Sequence, residues 1–211
     1  MRQGIYARYI KKALDKILSG AALLALGPVM AVTAVLVRIK LGSPVIFCQK
    51  RPGKGEKIFR MYKFRTMTDA RDRNGKLLPD EERLTEFGSF LRRTSLDELP
   101  ELWNIFKGDM SIVGPRPLLC SYLPYYTKRE RLRHKVMPGL TGLAQVNGRN
   151  LLAWDERLEM DAVYAEHITF LGDVRIIIKT AAKVFCRDGI SVNTAAVEPN
   201  LAEERKRRRE G

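Results

Sequence analysis

The longest apolar run lies near the N-terminus, where no residue from Ile17 to Val37 is charged. Twenty-one residues at about 1.5 Å rise each nearly cover the hydrocarbon thickness of a bilayer. A soluble core rarely needs such a run, and a cleaved signal peptide fits poorly because no small-x-small site follows it. The pattern therefore predicts membrane insertion. Gly27-Pro28 falls at the midpoint, where proline removes an intrahelical hydrogen bond and clashes with the preceding turn, so a sharp bend is expected. Basic residues sit on both sides: Arg2, Arg8, Lys11, Lys12 and Lys16 before the run, Arg38, Lys40, Lys50, Arg51 and Lys54 after it. The positive-inside bias places both flanks in the cytoplasm, which a straight span cannot satisfy. A re-entrant helix broken at Pro28 satisfies both ends, with Ser19 or Thr33 available for backbone groups freed by the bend. An ordinary span with a proline kink is the competing reading.

Beyond this segment the periodicity changes. Ser43 to Gln49 and Lys57 to Phe64 are β-rich runs on either side of the turn-like Arg51-Pro52-Gly53-Lys54-Gly55-Glu56, which predicts a hairpin. Asp69 to Asp80, punctuated by Asn74-Gly75 and Pro79-Asp80, reads as a surface loop. Glu81 to Arg93 has helical spacing, with Leu84, Phe87 and Leu91 on one face. Further helices are expected over Pro117 to Lys135, Trp154 to Glu166 and Val174 to Arg187. The last of these is amphipathic and suits a lipid surface or a core equally. Glu203 to Gly211 is so charged that a solvated tail, able to touch anionic lipid, is expected.

Charge narrows the partners. Lys and Arg number 38 against 24 Asp and Glu, a formal net charge of +14 over 211 residues, while 45% hydrophobic content rules out a disordered basic protein. The partner should be a polyanion, an anionic membrane face or a phosphorylated small molecule. Cys48, Cys120 and Cys186 are odd in number and widely separated, which argues for reduced thiols as small apolar filler rather than a disulfide framework or a zinc site.

Within this basic chain, Asp97 and Glu98 stand side by side where a helix is about to begin, in Ser95-Leu96-Asp97-Glu98-Leu99-Pro100-Glu101-Leu102-Trp103-Asn104. Paired acids can divide labour, one as nucleophile while the other holds a metal or moves a proton, and a helix N-terminus favours phosphate. Ser95-x-x-Glu98 equally matches a capping box. Arginine-bearing turns lie on both sides in sequence: Arg92-Arg93, Pro115-Arg116-Pro117 and Asn147-Gly148-Arg149. Guanidinium groups grip phosphate oxygens in a planar, two-pronged manner, and a proline on each side of Arg116 fixes its backbone. Pro138 to Arg149 is glycine-rich, either a connector or a set of exposed amides for a nucleotide or sugar. It lacks the spacing of a Walker loop or a dinucleotide fingerprint.

Ser43-Pro44-Val45, Lys63-Phe64-Arg65-Thr66-Met67, Ser95 to Asn104, Gly108-Asp109-Met110-Ser111, Gly114-Pro115-Arg116-Pro117 and Pro138-Gly139-Leu140-Thr141-Gly142 together resemble the bacterial sugar transferases, and among them the small monotopic phosphoglycosyl transferases. The likeness covers about residues 10 to 190. It implies transfer of a sugar 1-phosphate from a UDP-sugar to polyprenyl (undecaprenyl) phosphate with release of UMP, the first membrane step of glycoconjugate assembly. It places the enzyme at the cytoplasmic face of the bacterial inner membrane, with no nucleic-acid partner. By motif position Asp97 would attack the sugar-linked phosphorus to form an aspartyl-phosphate sugar. Glu98, with Asp97 beside it, would place Mg²⁺, and Lys63, Arg93, Arg116 and Arg149 would contact phosphate. The expected fold is α+β, mostly helical with a small β-hairpin. A re-entrant membrane helix would occupy residues 1–40, a cytoplasmic-face catalytic domain with amphipathic surface helices 41–190, and a basic tail 191–211. The family's helix break usually follows serine, whereas Gly27 precedes Pro28 here. The resemblance favours an N-acetylated amino sugar as donor, although relatives with the same motifs use glucose or galactose phosphates. Two rivals remain: a membrane-tethered basic protein that binds polyanions or acidic lipid without turnover, and a glycosyl transferase that releases nucleoside diphosphate.

Overall fold

The computed structural model describes residues 4–148, 152–186 and 200–210. After a π-helical stretch at Tyr6–Ile10, helix α1 runs without interruption from Lys11 to Leu41 with Pro28 inside it. The expected break at Pro28 is therefore not a break in the helix. Proline deprives the Leu24 carbonyl of its donor; Ser19 Oγ donates to the Lys16 carbonyl instead (3.2 Å) and Thr33 Oγ1 to that of Val29 (2.8 Å), so neither hydroxyl serves the freed group. One lost bond does not end a helix held by packing on both sides of the proline. Ala22, Leu23 and Leu26 lie on Met61, Leu102, Ile105 and Met110, while Met30, Ala34, Val37 and Leu41 lie on Phe64 and Leu91.

Among the described residues α1 is the one helix long and apolar enough to cross a membrane, yet only 11% of its most apolar window is buried. A soluble core helix would hide most of that surface. Both ends of α1 nevertheless seat on one domain. Lys11 Nζ donates to Asp173 Oδ2 at 2.6 Å, the Tyr6 hydroxyl to the same oxygen at 2.8 Å, and Asp15 accepts from Ser111 Oγ (2.6 Å) and the Ile112 amide (3.1 Å). Val37 and Leu41 bury the opposite end.

Strands β1 (Ile46–Pro52) and β2 (Ile58–Phe64) form the expected antiparallel hairpin, Ile46 opposite Phe64 and Pro52 opposite Ile58. The single helix expected over Glu81 to Arg93 is two, α2 (Asp80–Arg83) and α3 (Glu86–Arg93). Leu84 closes α2 and bridges to Met67, and Thr85 Oγ1 caps α3 by accepting from the Gly88 amide at 3.0 Å. Helix α4 (Glu101–Lys107) packs on β2, where buried Asn104 accepts from the Tyr62 amide (3.0 Å) and donates to the Arg60 carbonyl (2.7 Å).

Strand β3 (Ser111–Val113) pairs in parallel with β4 (Gly139–Thr141). A Cβ at Gly139 would fall 2.1 Å from the Gly114 nitrogen and one at Gly142 2.2 Å from the Gly114 oxygen. These glycines let two backbones meet. Between the strands, the helix expected around Pro117 to Lys135 takes the form of two 3-10 stretches, Cys120–Tyr125 with Pro124 inside it and Glu130–Lys135. The second begins with a reciprocal cap: the Thr127 amide donates to Glu130 Oε2 (2.7 Å) and the Glu130 amide to Thr127 Oγ1 (3.2 Å). Helix α5 (Leu143–Asn147) precedes α6 (Trp154–Glu166), found where expected, and α7 (Phe170–Cys186), which starts four residues before Val174. Arg187 lies outside the described residues.

The C-terminal segment departs most from expectation. Helix α8 (Leu201–Glu210) is docked, not solvated: Leu201 is fully buried among Leu118, Tyr122, Tyr126, Trp154 and Leu158. Arg205 Nη2 donates to Glu130 Oε1 and Asp155 Oδ1, each at 2.6 Å. One leucine and one arginine with acids waiting for it suffice to seat a helix whose composition alone reads as solvated; 191–199 lie outside the described residues. Leu201→Ala should lower unfolding stability by about 2–4 kcal/mol, the usual effect of emptying a fully packed leucine site. Denaturant unfolding checks this, and an unchanged midpoint would mean that α8 does not dock.

Candidate active site

Ser95 sets up the site. Its backbone is left-handed (φ 55°), a conformation that strains non-glycine residues, and it turns the chain sharply out of α3 into a 3-10 turn, Leu96–Glu98. The capping-box reading fails here: Ser95 makes no side-chain cap, and the Glu98 carboxylate reaches across the fold instead. Glu98 Oε1 accepts from Lys63 Nζ at 2.6 Å and Arg116 Nη2 at 2.7 Å. Lys63, Glu98 and Arg116, drawn from β2, the turn and the proline-flanked loop, thus meet at one oxygen.

Asp97 is only 8% exposed, and among the described residues neither of its oxygens accepts a hydrogen bond. The neighbouring acids are thereby driven apart. Burial raises the Asp97 carboxyl to about 6, with the Glu98 charge adding to the effect and Lys63 and Arg116 opposing it. Burial acts on Glu98 in the same sense, but the Arg116 guanidinium and the Lys63 ammonium outweigh it and hold that carboxyl well below its usual range.

A third acid shares the ammonium. Glu101, 1% exposed, has Oε1 3.1 Å from Lys63 Nζ, outside hydrogen-bonding geometry, and that oxygen has no hydrogen-bond partner among the described residues. Burial lifts it to about 7. Glu101 follows Glu98 by three residues in the motif, and that spacing was its one signal in the sequence.

On the cationic side the structure redistributes the expected roles. Arg93 is exposed; the guanidinium of α3 nearest in influence to Asp97 is Arg92, whose Nε donates to Thr66 Oγ1 at 3.1 Å. The reason is helical phase. Gly88 packs directly on the Thr66 carbonyl, since a Cβ there would fall 1.8 Å from it, and Arg92 is four residues on, on the same face. Arg51, read from sequence as a basic flank of the apolar run and part of a turn, lies close to Arg116: burial first, and then the charge of Arg116, bring it down to about 10. Arg149 lies outside the described residues. The site therefore gathers an excess of cations around a buried, hydrogen-bond-poor carboxylate, an arrangement suited to an anionic substrate.

The model of the bacterial sugar transferase family matches residues 6–187. This chain belongs to that family. It is 53% identical over 158 residues to the uncharacterized sugar transferase EpsL of Bacillus subtilis, covering 75% of this chain and 78% of that one. It is 43% identical over 188 residues to the UDP-glucose:undecaprenyl-phosphate glucose-1-phosphate transferase of Xanthomonas campestris pv. campestris, covering 83% of this chain and 39% of that one. Against the UDP-N-acetylgalactosamine-undecaprenyl-phosphate N-acetylgalactosaminephosphotransferase of Aeromonas hydrophila it is 37% identical over 184 residues, 83% of this chain and 43% of that one. The sugar transferase described here thus spans about two fifths of the length of these last two relatives.

The acid pair of this sugar transferase makes opposite demands on stability. The folded-state pKa of Asp97 is raised, so the folded state binds more protons than the unfolded one between pH 3.8 and about 6, and ionised Asp97 weighs against folding at higher pH. Asp97→Asn should stabilise the protein at pH 8 by up to about 3 kcal/mol, and the gain should vanish as pH falls below about 4. Glu98, with its pKa held down, contributes at neutral pH what is lost on acidification. Glu98→Gln should therefore destabilise at pH 8 by leaving Lys63 and Arg116 short of a counter-charge. Thermal unfolding of both variants from pH 4 to 8 checks the pair of signs; like signs would contradict the division.

Proposed function

We propose that this protein is a phosphoglycosyl transferase that moves a sugar 1-phosphate from a UDP-sugar to polyprenyl phosphate and releases UMP. The observation that carries the reading is the split acid pair: Asp97 buried without a hydrogen-bond donor among the described residues, while its neighbour Glu98 is held by Lys63 and Arg116. The relatives' named substrates, UDP-glucose, UDP-N-acetylgalactosamine and undecaprenyl-phosphate, supply the chemical class.

The diphosphate of the donor would lie against the guanidinium of Arg116 and the ammonium of Lys63, which spread and neutralise its charge. Ionised Asp97 then attacks the sugar-linked phosphorus, the bond to the UMP oxygen breaks, and UMP leaves with the electron pair, so that an aspartyl-phosphate sugar remains. An oxygen of polyprenyl phosphate attacks the same phosphorus, and Asp97 departs as carboxylate. Asp97 and Glu98 would be the residues to hold Mg²⁺, since carboxylate oxygens are the hard donors that ion favours. Bound there, the ion would supply further charge neutralisation at the diphosphate.

We place the site at the cytoplasmic face of the inner membrane, with α1 entering and leaving one leaflet. Support comes from the exposed apolar surface of α1, from basic residues on both sides of Ile17 to Val37, and from the seating of both helix ends on one domain through Lys11 and Asp15 at one end and Val37 and Leu41 at the other.

A screen of UDP-sugars with polyprenyl phosphate should give UMP for at least one donor, and UDP as product would replace the reading with simple glycosyl transfer. Asp97→Asn should stay folded and membrane-bound, release no UMP and trap no adduct. Because Asp97 must be ionised to attack, the rate should fall as pH drops through about 6. The topology is tested separately: in a background lacking the native cysteines, Gln3→Cys and Glu203→Cys proteins in sealed cells should both resist an impermeant thiol reagent. Labelling at one of the two positions alone would establish a full span.

A further inference from the structure

Pro115 and Pro117 have no amide hydrogen, so the loop that carries Arg116 can be anchored to the rest of the fold only through its carbonyls and the Arg116 amide. All three carbonyls are taken, each by a different element. The Gly139 amide of β4 donates to Pro115 (3.0 Å), Arg133 Nη2 to Arg116 (2.6 Å) and Arg51 Nη1 of β1 to Pro117 (3.2 Å). Of these donors Arg133 is the most tightly held. It is 3% exposed, and its Nε and Nη2 meet Asp161 Oδ2 of α6 at 3.1 and 2.8 Å while Nη1 lies 3.3 Å from the Tyr126 hydroxyl.

We propose that the buried Arg133–Asp161 pair is a positioning brace: Asp161 orients the Arg133 guanidinium, which holds the Arg116 backbone so that the Arg116 side chain meets Glu98 and the substrate diphosphate in register. The proposal rests on the reading of Arg116 as a phosphate contact. A planar guanidinium suits this work because one edge faces the carboxylate while a tip faces the carbonyl, which the ammonium of lysine cannot reproduce. Net stability is a poor account of such a pair, since apolar residues of similar volume commonly replace a buried ion pair without loss. Geometry is a better one. The Arg116 side chain is 34% exposed and is bonded, among the described residues, through Glu98, so its backbone anchor bears on its position, and displacement by about 1 Å is enough to lower turnover about a hundredfold.

The test is a cycle between the brace and Arg116, read by calorimetric affinity for inorganic diphosphate and by UMP release. Arg133→Met combined with Asp161→Leu removes both charges and leaves neither alone; Asp161→Asn keeps the volume and one acceptor. In the otherwise native protein either change should keep the fold by circular dichroism and weaken diphosphate affinity and kcat by about 10- to 100-fold. In an Arg116→Ala background, where Lys63 still offers diphosphate a cation so that residual binding can be measured, the same changes should cost less than about twofold, because the group they position is gone. Equal losses in both backgrounds, or unchanged affinity in the native background, overturn the brace. Unfolding of both brace variants would make the pair structural and overturn it as well. Diphosphate binding that obeys the cycle, in a protein that releases UMP from no donor, would retire the transferase reading and leave the brace standing.

Discussion

The shared oxygen of Glu98 is the contact on which the site depends. By accepting from both Lys63 and Arg116, it ties together a strand, a turn and a loop that are far apart in sequence, and it commits the strongest local donors to one acid of the pair. Among the described residues Asp97 is left buried without a donor of its own. On a 3-10 turn successive side chains diverge by about 120°, so two adjacent carboxylates can face different surroundings: Glu98 bonded directly to Lys63 and Arg116, Asp97 buried near the charges of Lys63, Arg116 and Arg92. The left-handed Ser95 sets the phase of that turn. Difference of environment, rather than difference of residue type, separates the two acids.

The apolar helix is part of the same construction. Ala22, Leu23 and Leu26 of α1 pack on Met61, Leu102 and Ile105, the residues beneath the strand that carries Lys63 and the helix that carries Glu101. Asn104 stitches that strand and helix together. The surface α1 turns away from the domain is apolar and exposed, while the buried charges of Lys11, Asp15 and Asp173 are satisfied by one another and by Ser111, Tyr6 and Tyr164. The long apolar helix thus serves as the base on which the polar site stands, and changes on its packed face should be felt at the site.

What the sequence by itself determined was local or compositional. The uncharged run to Val37, the hairpin about Pro52 and Gly53, helix α6 and the adjacent acids near a helix start were all legible, because period, turn chemistry and charge density act over a few residues. The stiffness of Pro115-Arg116-Pro117 was legible for the same reason. Tertiary structure alone decided the partners. Whether Arg92 or Arg93 turns inward depended on a glycine four residues earlier meeting Thr66; whether Glu98 capped a helix or bound cations depended on where β2 and the Arg116 loop arrived. Gly139 and Gly142 proved to be points of backbone contact because Gly114 lies against them. Helix α8 docked because Leu118, Trp154, Glu130 and Asp155 had already been gathered to receive Leu201 and Arg205. Each of these outcomes rests on a contact between residues distant in the chain, and no local pattern records which distant group will be there.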